Sequence, residues 1–460
     1  MITRRGFLGG ALAAAGTRVF AIGTAGGHPA IRFGVLSDVH ISNPRSGNKE
    51  TLVKALSYFR DRGADAVVIA GDFSDEGLVG QVRLAGEAWD EVFPGDRAPD
   101  GRHVEKVFII GNHEHNGAPR TLKRILKGAG RGDPFYEKGE FMFRDFPRYW
   151  PEIFHEPWRE QYVKEIRGYR FFASHWAPEE SCPDVADIVE PGLVGYDAAM
   201  PFFHVQHPHP FGTVVGHLAY GTWQGKSATA VLSRHPNAVS FSGHSHRSLT
   251  DERTLWQGAF TAIGTATLRR VSVGGDEENA KAKKKGGDRL MPVMEGATLG
   301  RQGQFVEVYD DRIVVERREF TYGDSLGPDR VIPWPPREKP FAFETQAARV
   351  AAPRFAADAK VGVSEPFDGR NRAGRAVRMV KVTFPAAKSG GLAYDYELTA
   401  RTPDGRVAKR RVLQDRFFLA PGRWPAANVC NFKAEEIPSG TKITVVARNC
   451  FGKCGPSIGK

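Results

Sequence analysis

Five short apolar stretches within the first 242 residues of the chain each end in a turn that is rich in polar residues. Each stretch has five to seven residues, contains β-branched or aromatic side chains, and is bounded by Gly, Pro or polar residues. They cover residues 31–37, 65–70, 104–110, 200–206 and 238–242. Runs of this length and composition are typical of buried β-strands. The pattern therefore predicts five strands that end just before these turns.

A helix is predicted between the first two strands. Within residues 48–62, Leu52, Leu56 and Phe59 recur at the spacing of one helical face. Strands that alternate with helices form parallel β-α units, so the pattern predicts an α/β fold with helices on both faces of the sheet. In such sheets ligands bind beyond the carboxyl ends of the strands.

Side chains that can bind metal ions follow all five predicted strands. One such side chain at a strand end is usually only a turn residue or a helix cap. Coincidence is a poor explanation when five strands end in the same way. The fold would also bring the five turns to one edge. The residues are Asp38, His40, Asp72, Asp75, Asn112, His113, Glu114, His207, His244 and His246.

Carboxylate, imidazole and amide ligands together suit Mn, Fe or Zn ions. The set contains no cysteine, which argues against a structural thiolate zinc site. Asp72 follows the second strand and is the natural candidate to bridge two ions. Two ions roughly 3.5–4 Å apart form a site for in-line displacement at phosphorus.

These motifs, in this order, resemble the signature of the calcineurin-like metallophosphoesterases over about residues 31–320. They are Asp38-x-His40, Gly71-Asp72-x-x-Asp75, Gly111-Asn112-His113-Glu114, His207 and Gly243-His244-x-His246. The resemblance implies an α/β core built as a β-sandwich with helices outside. It also implies two metal ions. The first would be bound by Asp38, His40, Asp72 and His246. The second would be bound by Asp72, Asn112, His207 and His244.

The resemblance also implies roles for residues beside the ions. His113 would stabilise the transition state or act as general acid. Asp75 and Glu114 would support the ligands from behind by fixing imidazole tautomers. Purple acid phosphatases, which belong to this family, carry a tyrosine ligand where this chain has Asp75, so no tyrosine-to-iron colour is expected.

Other histidines leave alternatives open. His175 also ends an apolar run and competes with His207 for the place of the fourth motif; we favour His207 because it precedes the last motif by one helix-sized segment. His115, His175 and His217 are candidates for contacts with the substrate.

The N-terminal residues resemble an export signal. Arg4 and Arg5 precede a weakly apolar stretch rich in Gly and Ala, as in twin-arginine signals. We therefore expect residues 1–28 to direct the protein to the twin-arginine export machinery, and the protein to be periplasmic or extracellular.

The remaining chain divides into three parts. We expect a catalytic domain over residues 29–335, with an aromatic-rich insertion at about 115–166, and then a proline-rich linker over 336–352. The insertion is either a packed subdomain or a cap over the metal ions. Alternating runs in residues 353–460 predict an all-β domain similar to immunoglobulin or fibronectin modules.

The positive charge of the chain lies in this last domain. The chain has 64 basic and 53 acidic residues, a net charge of +11, and residues 353–460 contain 20 of the basic and 9 of the acidic ones. The whole excess is therefore C-terminal, where it could attract an anionic envelope surface. We find no motif specific for nucleic-acid recognition. Because the motifs end at His246, we expect a chain that ends near Pro340 to retain the metal site.

These observations predict an exported phosphoesterase with two metal ions, which hydrolyses phosphate esters by attack of a metal-bridging hydroxide on phosphorus. Diesters are favoured because we find no additional arginine clamp near the motifs of the kind that a terminal dianionic phosphate would demand. The alternatives are a phosphomonoesterase, such as a nucleotidase or general phosphatase, and a non-catalytic envelope-binding protein on the same fold.

Overall fold

The computed structural model describes residues 27–42, 47–115, 145–218, 222–272, 300–370 and 374–460. The predicted export signal lies outside the described residues except for its last two positions, and so do residues 116–144 of the aromatic-rich insertion. No helix in the described part of the chain is long and apolar enough to cross a membrane.

Two sheets form the N-terminal domain. The seven-stranded sheet has the order β12-β11-β10-β1-β2-β3, and β13 pairs with β11. Its strands are β1 (Ile31–Leu36), β2 (Ala66–Ala70), β3 (Glu105–Ile109), β10 (Gln302–Val308), β11 (Arg312–Glu319), β12 (Asp324–Ser325) and β13 (Arg330–Pro333). The six-stranded sheet has the order β4-β5-β6-β7-β9-β8. Its strands are β4 (Gln161–Ile166), β5 (Tyr169–Ser174), β6 (Phe202–Val205), β7 (Ala238–Ser242), β8 (Leu255–Gln257) and β9 (Thr261–Gly264).

The five predicted strands are confirmed, and they are divided between the two sheets. Strands β1, β2 and β3 are parallel neighbours in the first sheet, with Leu36 opposite Ile69 and Ile69 opposite Phe108. Strands β6 and β7 are parallel neighbours in the second sheet. Parallel strands present their carboxyl ends at one edge, so each sheet collects its own motifs there.

The sheets pack face to face, and the helices cover their outer faces. Phe33 of β1 contacts the rings of Phe171, Phe203 and Phe241 from the other sheet, with ring centroids 4.9–5.7 Å away. The expectation of helices on both faces of one sheet is therefore wrong, whereas the sandwich implied by the family resemblance is present. The helices are α1 (Asn48–Asp61), α2 (Val79–Val92), α3 (Phe146–Phe154), α4 (Ala186–Gly192), α5 (Thr222–Leu232) and α6 (Phe343–Arg349).

The described part of the aromatic-rich insertion packs into the domain. Trp150 and Phe154 of α3 are buried, and the Phe154 ring lies 5.1 Å from Phe73 and 5.5 Å from Phe108. These rings therefore cover the outer side of the first sheet, as the packing alternative predicts. Whether residues 116–144 form a cap lies outside the described residues.

The C-terminal residues form two further sheets. The first contains β14, β15, β16 and β19, and the second has the order β18-β17-β20-β21. Their inner faces share one core that includes Val382, Tyr396 and Val445. The bounds are β14 (Gly362–Val363), β15 (Phe367–Arg370), β16 (Ala376–Pro385), β17 (Asp395–Arg401), β18 (Val407–Leu413), β19 (Ala427–Lys433), β20 (Lys442–Arg448) and β21 (Ile458–Gly459). The all-β expectation is confirmed, and kinship with immunoglobulin modules stays a prediction.

Residues 336–352 are held against the N-terminal domain. Phe341 is buried in the core between its sheets, and its backbone N–H donates to Gln257 Oε1 over 3.1 Å. Gln346 of α6 donates to the carbonyl of Leu255 over 3.1 Å. This segment therefore extends the N-terminal domain toward the β-domain instead of spanning open solvent.

Candidate metal centre

Asp38, His40 and His246 form one cluster at the edge where the strands end. Nε2 of His246 lies 2.9 Å from Oδ1 of Asp38 and 3.1 Å from Nε2 of His40. Oδ1 of Asp38 is buried and has no hydrogen-bond partner among the described residues. Burial by itself raises the pKa of Asp38, but the histidine rings around it hold this pKa well below its ordinary value.

Asp72, His207 and His244 form a second cluster beside the first. Nε2 of His207 lies 3.1 Å from Oδ2 of Asp72, 3.2 Å from Nδ1 of His244 and 3.1 Å from Oδ1 of Asn112. Nδ1 of His207 is 2.7 Å from the carbonyl oxygen of Ala70 and donates a hydrogen bond to it. This tautomer leaves the lone pair on Nε2 available to bind a metal ion.

Asp72 lies between the clusters. Its Oδ2 is 3.1 Å from His207 and 3.6 Å from Nε2 of His40, while its Oδ1 accepts the backbone N–H of His113 over 2.9 Å. Lone pairs of ring nitrogens and carboxylate oxygens that converge in this way repel one another unless a proton or a metal ion lies between them. The donors fit Mn, Fe or Zn, so the residues present suit two metal ions.

Five of the seven candidate ligands have a left-handed backbone, which few residues other than glycine adopt. Their φ angles are 53° at Asp38, 49° at His40, 58° at Asp72, 67° at His244 and 54° at His246. Such positions cost about 1–3 kcal/mol each and persist where the surrounding structure holds them. Here the backbone turns sharply after β1, β2 and β7, and this directs the side chains toward the same place.

The glycines of the motifs allow the turns to approach one another. A Cβ atom at Gly111 would collide with the carboxylate of Asp72, and one at Gly243 would collide with Asp38 and Ser37. Larger residues at these two positions would therefore push candidate ligands out of place.

Glu114 holds the backbone of the motif turns together. Its buried carboxylate accepts four hydrogen bonds, from the N–H groups of Asp72 (3.1 Å), Ser74 (2.8 Å) and Gly111 (2.8 Å) and from the Ser74 hydroxyl (2.7 Å). Burial and the nearby Asp72 raise the pKa of Glu114 to about 7. The expected role in fixing an imidazole tautomer is wrong for Glu114, because its partners are backbone amides and a hydroxyl.

Asp75 supports two histidines. Its carboxylate lies 3.3 Å from Nδ1 of His40, and its backbone carbonyl accepts from Nδ1 of His113 over 2.5 Å. Burial raises the pKa of Asp75, but the His40 ring lowers it to about 2 overall. His113 is thereby fixed with Nδ1 protonated, which leaves Nε2 free to give or take a proton.

Two residues that the sequence analysis did not select lie at the site. Arg269 forms an ion pair with the carboxylate of Asp75. The indole ring of Trp176 lies 5.7 Å from the ring of His244 and 6.0 Å from that of His207. Trp176 follows a strand end that had drawn attention only for His175, whereas nothing in the local sequence marks Arg269.

The three histidines that the sequence suggested for substrate contacts lie outside these clusters. His175 is buried, its ring is 4.2 Å from Trp158, and burial lowers its pKa to about 3. Nδ1 of His175 accepts the N–H of Ile110 over 2.9 Å, so His175 links two strand ends and His207 takes the place among the ligands. The ring of His115 is 6.3 Å from Phe146, and Nδ1 of His217 accepts from Gly212 over 3.1 Å.

The fold and the donor set define an α/β sandwich with adjoining groups of side chains that could hold metal ions. They are the two clusters described above and a third group, His40, Asp75 and His113, which shares His40 with the first. Residues 31–248 match the family model of the calcineurin-like phosphoesterases.

Solved structures similar to this chain include two phosphatases. A dimetal phosphatase from Danio rerio is 15% identical with a TM-score of 0.39, over 66% of this chain and 99% of that one. A purple acid phosphatase from yellow lupin seeds is 12% identical with a TM-score of 0.41, over 66% of this chain and 55% of that one. The inner membrane complex anchor GAP50 of Plasmodium is 9% identical with a TM-score of 0.37, over 68% of this chain and 90% of that one. No curated protein matches this chain by sequence.

Proposed function

We propose that this protein hydrolyses phosphate esters with the help of two metal ions. The observation that carries the proposal is the position of Asp72, whose Oδ2 faces His207 of one cluster and His40 of the other. Asp38, His40, Asp72 and His246 would bind one ion, and Asp72, Asn112, His207 and His244 the other. Two such ions supply Lewis acidity at the phosphoryl oxygens and a nucleophilic water at neutral pH.

His113 would assist the leaving oxygen. The carbonyl of Asp75 can only accept, so it fixes the proton on Nδ1 and makes Nε2 the reactive atom. The ring of His113 is 26% exposed and stands 4.5 Å from that of His40, beside the first cluster and open to solvent. A histidine in such a place can protonate a departing alkoxide.

We propose phosphate diesters as the first candidate substrates. The preference for diesters rests on the sequence, in which we find no additional arginine clamp near the motifs. Arg269 lies next to Asp75 and is 36% exposed, so it is a cation within the site that remains accessible to solvent. Arginine binds the paired oxygens of a terminal phosphate well. The accessible position of Arg269 therefore favours phosphate monoesters as the second candidate substrates.

The experiment compares bis-(p-nitrophenyl) phosphate with p-nitrophenyl phosphate as substrates of the full-length protein loaded with Mn, Fe or Zn. If diesters are the substrate, the first is hydrolysed faster, and Arg269→Ala leaves the ratio of the two rates unchanged. If Arg269 binds a terminal phosphate, Arg269→Ala raises KM for the monoester alone. Arg234→Ala is the control, because Arg234 is an exposed arginine that pairs with Glu190 away from the clusters. Inactivity toward both esters after metal loading would favour the non-catalytic alternative.

We also propose that the protein is exported and that its basic C-terminal domain attaches to an anionic envelope surface. The support is Arg4 and Arg5 before a weakly apolar stretch, and the excess of basic residues in 353–460. Binding to anionic vesicles should weaken steeply with salt, because the screening length falls from about 10 Å at 0.1 M to about 3 Å at 1 M. Full-length protein that ignores anionic vesicles at low salt would contradict attachment.

A further inference from the structure

The C-terminal domain contacts the turns that follow the last metal-binding motif. The contact is made by residues 417–419, which we call the brace. All three brace residues, Phe417, Phe418 and Leu419, are buried. The brace is fixed within its own domain, since Trp424 donates to the Leu419 carbonyl over 3.1 Å and Phe417 packs 5.1 Å from the ring of Tyr394.

His246 is held from behind by residues 270–272. Its Nδ1 lies 3.1 Å from the carbonyl oxygen of Arg270, which fixes the ring with Nε2 toward Asp38. The backbone N–H of Ser272 donates to the carbonyl of His246 over 2.6 Å. The position of this candidate ligand therefore depends on where residues 270–272 lie.

The brace packs directly on this supporting segment. Among the described residues, Val271 shares its small buried cluster with Phe418 and Leu419 alone. A Cβ atom at Gly300 would lie 2.7 Å from Phe418 and 2.8 Å from Val271, so the Phe418 ring fits against a position with no side chain. The apolar side of residues 270–272 is therefore covered by the C-terminal domain.

Hydrogen bonds tie the brace to the residues just after His246. The hydroxyl of Thr250 donates to the carbonyl of Phe417 over 2.7 Å. Gln302 donates to the carbonyl of Phe418 over 2.7 Å, and its side-chain oxygen accepts the N–H of Leu249 over 2.7 Å. Thr250, Gln302 and Leu249 are all buried, so these bonds are shielded from water.

We propose that the brace is part of the metal centre: it holds residues 247–250 and 270–272 so that His246 stays in position to bind a metal ion. The inference rests on the proposed function in that it takes Asp38, His40 and His246 as a metal site. It makes the C-terminal domain a positioning element of the catalytic domain. A chain that ends near Pro340 would lack it, contrary to the expectation from the sequence.

The test uses the full-length protein with Phe418→Ala, which removes the ring from Val271 and Gly300. We expect this variant to weaken the binding of one Mn or Zn ion by 10–100-fold, as the loss of ligand support typically does. The second ion should keep its affinity to within about threefold. Hydrogen exchange should rise in residues 243–254, and Phe418→Leu should restore most of both properties.

The matched control is Phe355→Ala, because Phe355 packs on the core of the same domain, 5.9 Å from Tyr396 and apart from the brace. It should lower domain stability without changing metal affinity or exchange in residues 243–254. If Phe418→Ala does not fold, Thr250→Val tests the attachment of the brace, since it replaces the hydroxyl that donates to the Phe417 carbonyl and that also pairs with the Ser248 hydroxyl over 2.7 Å. The first ion should then bind several-fold more weakly.

Wild-type affinity for both ions in Phe418→Ala, or in Thr250→Val, would overturn the proposal of the brace. A wild-type protein that binds no metal would instead contradict the proposed function. In that case unchanged hydrogen exchange in residues 243–254 of Phe418→Ala would still refute the brace, and raised exchange would support it.

Discussion

Changing Glu114 to Gln should loosen the turns that carry Asp72 and Asn112. Each carboxylate oxygen accepts two hydrogen bonds, and Gln keeps only one oxygen. The Gln side chain can be placed in two orientations. In the better one its NH2 group faces Ser74, whose hydroxyl can rotate to accept a hydrogen bond from it. The backbone N–H of Ser74 then has no acceptor, and a buried unsatisfied donor costs about 1–3 kcal/mol.

Denaturant unfolding of chelated protein measures this loss. The experiment is run well above the pKa of about 7 of Glu114, so that the wild type carries the carboxylate. The control is Glu91→Gln, since Glu91 is exposed and such changes usually stay within about 0.5 kcal/mol. Metal affinity of the Glu114 variant should also fall by about 10–100-fold. Stability and metal affinity equal to those of the wild type would refute the claim that Glu114 joins the turns.

Three further predictions address single residues. Asp72→Asn should lose at least one metal ion per chain and nearly all turnover; elemental analysis that finds two ions retained would remove Asp72 from the bridging position. His113→Gln should keep both ions and slow turnover by roughly 10²–10⁴-fold, whereas loss of metal would make His113 a ligand. His204 is fully buried and burial lowers its pKa to about 3, so the unfolded chain binds a proton below about pH 6.5 that the folded chain does not. The free energy of unfolding should therefore fall as the pH drops, by about 1.4 kcal/mol per pH unit from this residue. His204→Gln should flatten this dependence, and denaturant curves at several pH values that match the wild type would contradict it.

The apolar runs of the sequence were enough to locate the strands that carry the motifs. Strand β7 ends at Ser242 and β2 at Ala70, as the pattern predicts, because a buried strand needs a continuous apolar run and a polar turn after it. The same pattern could not assign strands to sheets. A strand buried on both faces looks alike whether a helix or a second sheet covers it, so the split between β3 and β6 is invisible in the sequence.

The sequence by itself therefore selected the candidate metal-binding side chains, since Asp38, Asp72 and His246 each stand just past a predicted strand end, where ligands of α/β folds bind. Tertiary structure decided what supports them. Arg269 reaches Asp75 across 194 positions, and Thr250 reaches Phe417 across 167. Contacts between such distant irregular segments follow no periodicity, because they depend on how whole sheets and domains pack. Only the folded chain could show that the C-terminal domain lies behind the candidate metal centre.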